Sequence, residues 1–419
     1  MRRQPPAGAP TAPPRAFGTA PSSTPTERWV HTWASMPQLT EPANMPPAPF
    51  TRDGAVLADA TLRQTVRVSV GGDRLRLRFS NAFGGAPLPL TAVTVAHPRR
   101  GRAGAGEVEP GTARAATFHG KTSAVVQPGA QVVSDPLPFP VGDSANLTVT
   151  VHLAQGQAST DITSHPGSRT TSHLLAGNHV AADALPGATP VDHWYFLSGV
   201  EVPAGPGTAA AVLLGDSLTD GRGSTTNGND RWPDLLLARL RAHPATAGVA
   251  LVNQAAGGNR VLRDGLGPNA LARLDRDVLA HSGVAWLFVF EGVNDLGCAQ
   301  ATEAAQKQVA DELVDGYDQI VVRAHAQGIR VYGATLLPFG GNDYDDPAGC
   351  REAARQSVND WIRTSGRFDA VVDFDRAVRD PARPARLRAS CDSGDHLHLN
   401  PAGYRALADA VPPELFATG

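Results

Sequence analysis

The chain has 419 residues, of which 42% are hydrophobic and 18% are charged, and its formal net charge at pH 7 is −3. This composition is typical of a globular protein, and the length predicts more than one domain. The charge provides no basic surface for nucleic acid, so we expect no nucleic-acid partner. No uninterrupted apolar run reaches about 18 residues, so we also expect no membrane span.

The first segment, residues 1–28, is rich in proline, alanine and serine, as in "MRRQPPAGAPTAPPRAFGTAPSSTPTE". It contains arginines but lacks the apolar stretch of a signal peptide. We predict that this segment is a disordered leader.

Residues 29–205 follow a period of two. The stretches "TVRVSV" and "RLRLRFSN" alternate apolar and polar side chains and are separated by "GGD", a pattern that predicts a β-hairpin with its arginines facing outward. The stretches "AVTVAH", "ANLTVTVHL" and "WYFLSGVEV" predict further strands. We predict that this segment is a β-sandwich or jelly-roll-like domain.

The sequence pattern changes in residues 206–419, where short apolar runs alternate with amphipathic stretches. The runs predict strands that are buried on both faces, and the stretches between them predict crossover helices. Together they predict a parallel α/β/α sheet. The five runs lie at residues 209–215, 249–255, 285–292, 329–337 and 370–375.

Polar residues follow these runs at the carboxyl ends of the predicted strands, where parallel sheets bind ligands. Ser217 follows the first run, and His398 and Asp395 come after the last. A serine hydroxyl needs a general base within hydrogen-bond reach, and His398 can supply one. Asp395, three residues earlier, can fix the tautomer of that ring, whereas the adjacent His396 points away. We therefore predict a Ser-His-Asp triad.

Two further residues at these strand ends suit an oxyanion site. Gly258 lets a backbone N–H approach closely, and Asn294 offers a side-chain N–H. The backbone N–H of Ser217 would be the third donor for the negative charge of a tetrahedral intermediate.

The blocks "GDSLTDG", "NQAAGGNR", "GVND" and "DHLHLN" resemble those of the SGNH branch of the GDSL hydrolases. The resemblance implies a flavodoxin-like SGNH hydrolase sheet, an ester substrate and no cofactor. It also implies catalytic roles for Ser217, Asp395 and His398, and oxyanion roles for Ser217, Gly258 and Asn294. The first half resembles the β-rich region of some secreted microbial members. We therefore expect secretion, with a cytoplasmic location as the alternative.

Structural explanations compete with each of these assignments. Ser217 and Asn294 could cap helices, and Gly258 could only form a turn. The pair His396 and His398 has a metal-ligand spacing, although we expect no metal. A Cys350–Cys391 disulfide competes with free thiols.

From the sequence we expect a carboxylic-ester hydrolase that works through an acyl-enzyme and removes short acyl groups, such as acetyl groups on carbohydrates. The alternatives are a lipase or aryl esterase, an acyltransferase on the same site, and a non-catalytic carbohydrate-binding protein. The sequence contains no signal for the oligomeric state.

Overall fold

The computed structural model describes residues 27–52 and 54–417. All but the last two positions of the predicted leader, 1–28, lie outside the described residues. The first half of the described chain is built from short β-strands, joined by turns that include 3₁₀ turns at Pro42–Asn44 and Arg99–Gly101. The strands are β1 (Trp29–Ala34), β2 (Gln38–Leu39), β3 (Thr51–Arg52), β4 (Ala55–Val56), β5 (Ala60–Arg67), β6 (Gly72–Ser80), β7 (Leu88–Leu90), β8 (Ala92–Ala96), β9 (Arg114–Ala115), β10 (Ala124–Val126), β11 (Gln131–Val133), β12 (Leu137–Val141), β13 (Asn146–Leu153), β14 (Thr163–His165), β15 (Ser172–Ala176), β16 (Thr189–Val191), β17 (Trp194–Tyr195) and β18 (Leu197–Pro203).

Two antiparallel sheets dominate this half. One has the strand order β1-β18-β6-β11, with β12 also paired to β6, and the other has the order β16-β15-β5-β13-β8-β9. Leu77 of the first sheet and Val151 of the second belong to one cluster of buried apolar side chains. The prediction of an antiparallel β-rich region is confirmed.

The predicted hairpin between "TVRVSV" and "RLRLRFSN" is wrong. Strand β5 pairs with β13 and β15, so both of its edges are occupied within the six-stranded sheet. Strand β6 instead pairs with β18, β11 and β12 in the other sheet. The alternation of side chains fixes which face of a strand is buried, but it does not specify the neighbouring strand.

The second half alternates strands and helices. Its elements are β19 (Ala209–Gly215), α1 (Ser217–Asp220), α2 (Trp232–Arg241), β20 (Val249–Ala255), α3 (Ala270–Leu274), a π-helical turn (Asp275–Leu279), β21 (Val284–Phe290), α4 (Val293–Cys298), α5 (Glu303–His325), β22 (Arg330–Ala334), α6 (Cys350–Thr364), β23 (Ala370–Val372), α7 (Phe374–Val378), β24 (Arg379–Asp380), β25 (Arg383–Leu387), α8 (Pro401–Ala410) and a 3₁₀ turn (Pro413–Phe416).

Five of these strands form a parallel sheet in the order β20-β19-β21-β22-β23. This order and the flanking helices confirm the predicted α/β fold. The first two strands have the predicted bounds. The run 370–375 yields only three strand residues, because Asp373 accepts a hydrogen bond from Arg376 N and so starts α7 at Phe374.

The two faces of β19 pack against different partners. Ala211 and Leu213 lie in a cluster that also contains residues of α2 and α8. Val212 and Leu214 lie in the cluster that includes the β-strand half, for example Val30. One apolar core therefore runs through both halves, although the predicted boundary at residue 205 falls in the coil between β18 and β19.

Among the helices of the described segments, none has the length and hydropathy needed to cross a bilayer.

Candidate active site

Ser217 stands at the point where β19 ends and α1 begins. Asp216 occupies the cap position, where its carboxylate accepts a hydrogen bond from Leu218 N at 3.0 Å. The cap role that we considered for Ser217 therefore belongs to Asp216. The hydroxyl of Ser217 is free to reach another partner, and its Oγ lies 2.8 Å from His398 Nε2.

His398 is oriented by Asp395. Its Nδ1 lies 2.6 Å from Asp395 Oδ2, and its backbone N–H donates to Oδ1 of the same carboxylate at 2.8 Å. Partial burial disfavours the charge of Asp395, but the hydrogen bonds from His398 and Leu397 outweigh burial and hold the pKa of this carboxyl well below its usual range. An ionised Asp395 keeps the proton on Nδ1, which leaves Nε2 free to accept a proton from Ser217.

His396 lies apart from this chain of hydrogen bonds. Its Nδ1 lies 2.6 Å from Asp392 Oδ2, and about half of its side chain is exposed to solvent (51%). The backbone of His396 has φ = 63°, in the left-handed region, so the loop turns between the two histidines and separates their side chains. Asn400 then caps α8 by accepting from Gly403 N at 3.0 Å.

The environment lowers the pKa of His398. Burial of the ring is the largest cause, and the nearby positive charges of Arg222 and Arg169 act in the same direction. The hydrogen bond and the negative charge of Asp395 oppose them. Because its pKa is lowered, the imidazole remains neutral, and able to accept a proton, at a lower pH than a free histidine.

Three potential donors line the cleft that contains Ser217 and His398: the N–H of Ser217, the N–H of Gly258 and the side-chain amide of Asn294. Across the described chain, neither backbone N–H has a hydrogen-bond acceptor in the protein. Asn294 donates one Nδ2 hydrogen to Asn259 O at 2.9 Å, which leaves its second hydrogen available. Four of the five predicted site residues thus line one cleft of about 660 Å³, and the fifth, Asp395, contacts His398 from outside the lining.

The position of Gly258 requires glycine. Its φ is +72°, and a Cβ atom there would lie 2.6 Å from Leu266 Cδ1. Asp295 anchors the same loop by accepting hydrogen bonds from Val261 N at 2.9 Å and Leu262 N at 3.0 Å. The backbone of this loop is therefore fixed from two sides.

Tyr344 was missed by the sequence analysis. Its hydroxyl donates to Asn294 Oδ1 at 2.9 Å, which fixes the orientation of the amide. Tyr344 lies in a long connection between β22 and α6, and no motif marks it.

The β-strand half supplies one wall of the cleft, including Gln38, Glu41, Arg169 and His193. The halves also meet at a buried pair in which His165 Nε2 lies 2.9 Å from Asp220 Oδ1. The sequence analysis named none of these residues. Nothing in the period-two pattern distinguishes loop residues that face a cleft.

No group of three or more potential metal ligands occurs within residues 27–52 and 54–417. Cys298, Cys350 and Cys391 are all free thiols. The Cys350–Cys391 pair that we considered is therefore not formed in this structure.

Residues 213–406 match the model of the GDSL-like Lipase/Acylhydrolase family. The second half of the chain is a GDSL acylhydrolase domain. Comparison with curated proteins gives no match. The family assignment makes the protein a serine esterase of the GDSL type, as the motifs predict.

Several solved structures are similar to this GDSL domain. They include a G-D-S-L family protein from Desulfitobacterium hafniense DCB-2, with 19% identity, 48% of this chain and 97% of that chain covered, and a TM-score of 0.37. The acetylxylan esterase Axe2 from Geobacillus stearothermophilus has 23% identity, 48% and 91% coverage, and a TM-score of 0.36. A GDSL-like lipase from Bacteroides thetaiotaomicron VPI-5482 has 16% identity, 48% and 84% coverage, and a TM-score of 0.34.

Proposed function

We propose that Ser217 is the nucleophile of this esterase, His398 its general base and Asp395 the residue that orients the base. The observation that carries the proposal is the unbroken chain of contacts from Ser217 Oγ to His398 Nε2, at 2.8 Å, and from His398 Nδ1 to Asp395, at 2.6 Å. Nucleophile, base and orienting acid within hydrogen-bond reach are the arrangement that acyl transfer requires.

The reaction proceeds in two halves. His398 takes the proton of Ser217 as the oxygen attacks the ester carbonyl, and the N–H groups of Ser217, Gly258 and Asn294 hold the resulting oxyanion. His398 then gives the proton to the departing alcohol, which leaves an acyl-enzyme. Water, deprotonated by His398, attacks this acyl-enzyme; the acid departs and Ser217 recovers its proton.

The preferred substrate in this proposal is a short acyl ester, such as an acetyl ester, of a hydroxyl-rich alcohol such as a carbohydrate. The polar side chains that line the cleft favour such an alcohol. They include Gln38, Asn44 and His193. Amide and imidazole groups can donate hydrogen bonds to sugar hydroxyls and accept hydrogen bonds from them.

One observation favours a second candidate, a longer-chain or aryl ester. Leu266 lines the cleft and is 50% exposed, so an apolar acyl or aryl group could cover it.

A series of p-nitrophenyl esters from acetyl to palmitoyl separates the two candidates. We expect kcat/KM to be largest for the acetyl or propionyl ester and to fall with chain length. A maximum at decanoyl or longer would contradict the short-chain proposal. Release of acetate from an acetylated oligosaccharide, with Ser217→Ala as the control, then tests the carbohydrate part.

A further inference from the structure

Two arginines from different halves of the chain line the candidate active-site cleft. Arg169 lies in the connection between β14 and β15, and Arg222 follows α1. In the part of the chain that the structure describes, neither guanidinium lies within 4.0 Å of a carboxylate oxygen.

Arg169 has an unfavourable backbone conformation and a buried side-chain nitrogen without a hydrogen-bond partner in the described residues. Its φ is 50°, in the left-handed region that non-glycine residues rarely adopt. Its Nε atom is buried and has no hydrogen-bond partner among the described residues. Both features cost stability, and such costs are typically retained where a residue serves a ligand.

The three carboxylates that line the cleft contact other residues and form no ion pair with these arginines in the described chain. Asp220 Oδ1 lies 2.9 Å from His165 Nε2. Glu41 accepts hydrogen bonds from Gln38 at 2.5 Å and from Asn44 at 2.9 Å. Asp192 accepts from Thr171 at 2.9 Å. The two guanidinium groups thus remain available to an anion that enters the cleft.

The side of the cleft where the arginines lie indicates which part of the substrate they meet. His398 gives its proton to the departing alcohol, so the alcohol must lie beside His398. Hydrogen bonds tie both arginines to the segments beside His398. The hydroxyl of Tyr404, in the first turn of α8, donates to Arg222 O at 2.6 Å, and Asn227, in the same loop as Arg222, donates its N–H to Arg169 O at 2.9 Å. Two of the three oxyanion donors come instead from the segments after β20 and β21. The arginines therefore lie on the His398 side of the cleft, where the departing alcohol is held, and their positive charges lower the pKa of His398.

We propose that Arg169 and Arg222 form an anion subsite that binds a carboxylate on the alcohol part of the ester. This inference rests on the proposed function, because the triad defines the side of the alcohol. Guanidinium groups match carboxylates through paired, charge-assisted hydrogen bonds. The preferred substrate is then an acyl ester of an acidic alcohol, such as a sugar acid.

The test compares para-acetoxybenzoate with its neutral counterpart para-acetoxybenzamide. We expect the wild-type protein to favour the anion in kcat/KM, and added salt to reduce that preference. In Arg169→Gln and in Arg222→Gln the ratio of the two kcat/KM values should fall about tenfold, the factor expected for a lost charge-assisted hydrogen bond of ~1.4 kcal/mol. Arg405→Gln removes an exposed arginine of α8 outside the cleft and should leave the ratio unchanged.

Each of the other possible results of this comparison would refute one specific claim. Hydrolysis of both compounds with no charge preference, or with a preference that survives both substitutions, would refute the anion subsite and leave the esterase intact. A preference only for an acyl-side charge, seen with the p-nitrophenyl monoester of succinate against p-nitrophenyl butyrate, would refute its placement. No hydrolysis of either compound by folded protein would refute the proposed function itself. If the Arg169 variant does not fold, stronger competitive inhibition of the wild type by benzoate than by benzamide still supports the subsite, and equal inhibition refutes it.

Discussion

The replacement Asn294→Ala isolates the contribution of the only side-chain donor in the proposed oxyanion site. The amide lines the cleft beside Ser217 and has one Nδ2 hydrogen that Asn259 O does not use. Loss of one oxyanion donor raises the barrier by about 2.7–4 kcal/mol, so kcat should fall about 100- to 1000-fold. Because this interaction is made mainly in the transition state, KM should change little.

The same replacement also affects folding, and the two effects must be measured separately. Asn294 is buried, and its loss leaves Asn259 O and the Tyr344 hydroxyl without their partner. Each unsatisfied group costs about 1–3 kcal/mol. Thermal unfolding followed by circular dichroism therefore accompanies the kinetics, which are measured well below the midpoint of unfolding.

Tyr344→Phe is the matched control, since it removes the hydroxyl that holds the amide but keeps the amide itself. One hydrogen bond of this kind contributes about 0.5–1.5 kcal/mol, so we expect kcat to fall by no more than about tenfold. A folded Asn294→Ala protein with the wild-type kcat, or with a raised KM alone, would refute the oxyanion role of Asn294.

Three further predictions follow from the geometry. The acid limb of kcat/KM should lie below pH 6.5, the ordinary pKa of histidine, because the pKa of His398 is lowered. Arg169→Gln should move that limb to higher pH, because it removes a positive charge near His398. A limb that does not move would argue against the proximity of Arg169 and His398. His398→Ala should nearly abolish turnover while His396→Ala keeps most of it, and the reverse pattern in two folded proteins would exchange their roles. A fragment of residues 206–419 should aggregate, because removal of the β-strand half uncovers apolar side chains such as Val212; a soluble, cooperatively unfolding fragment would contradict this.

The parallel sheet was predictable because each strand is a continuous apolar run. The strands Ala209–Gly215 and Val249–Ala255 match the predicted runs in full. The spacing of Asp395, His396 and His398 also predicted which histidine contacts the carboxylate, since a short turn returns only the third residue to Asp395. These features are determined by residues that are close together in the sequence, so local sequence patterns predict them.

Other features depend on contacts between distant segments. The separation of β5 and β6 into different sheets is decided by β13 and β18, far along the chain. Likewise, Tyr344 reaches Asn294, and His165 reaches Asp220, across 50 and 55 residues of sequence. No local pattern encodes such pairs, so the β-strand wall of the cleft became visible only in the folded structure.

Covalent labelling tests the central claim most directly. The protein is incubated with a fluorophosphonate, and the modified residue is located by peptide mass spectrometry alongside loss of ester hydrolysis. The proposed triad predicts a single phosphonylated residue, Ser217, and no labelling and no hydrolysis in folded Ser217→Ala. Labelling of another residue with Ser217 unmodified, or persistent hydrolysis by Ser217→Ala, would contradict the account.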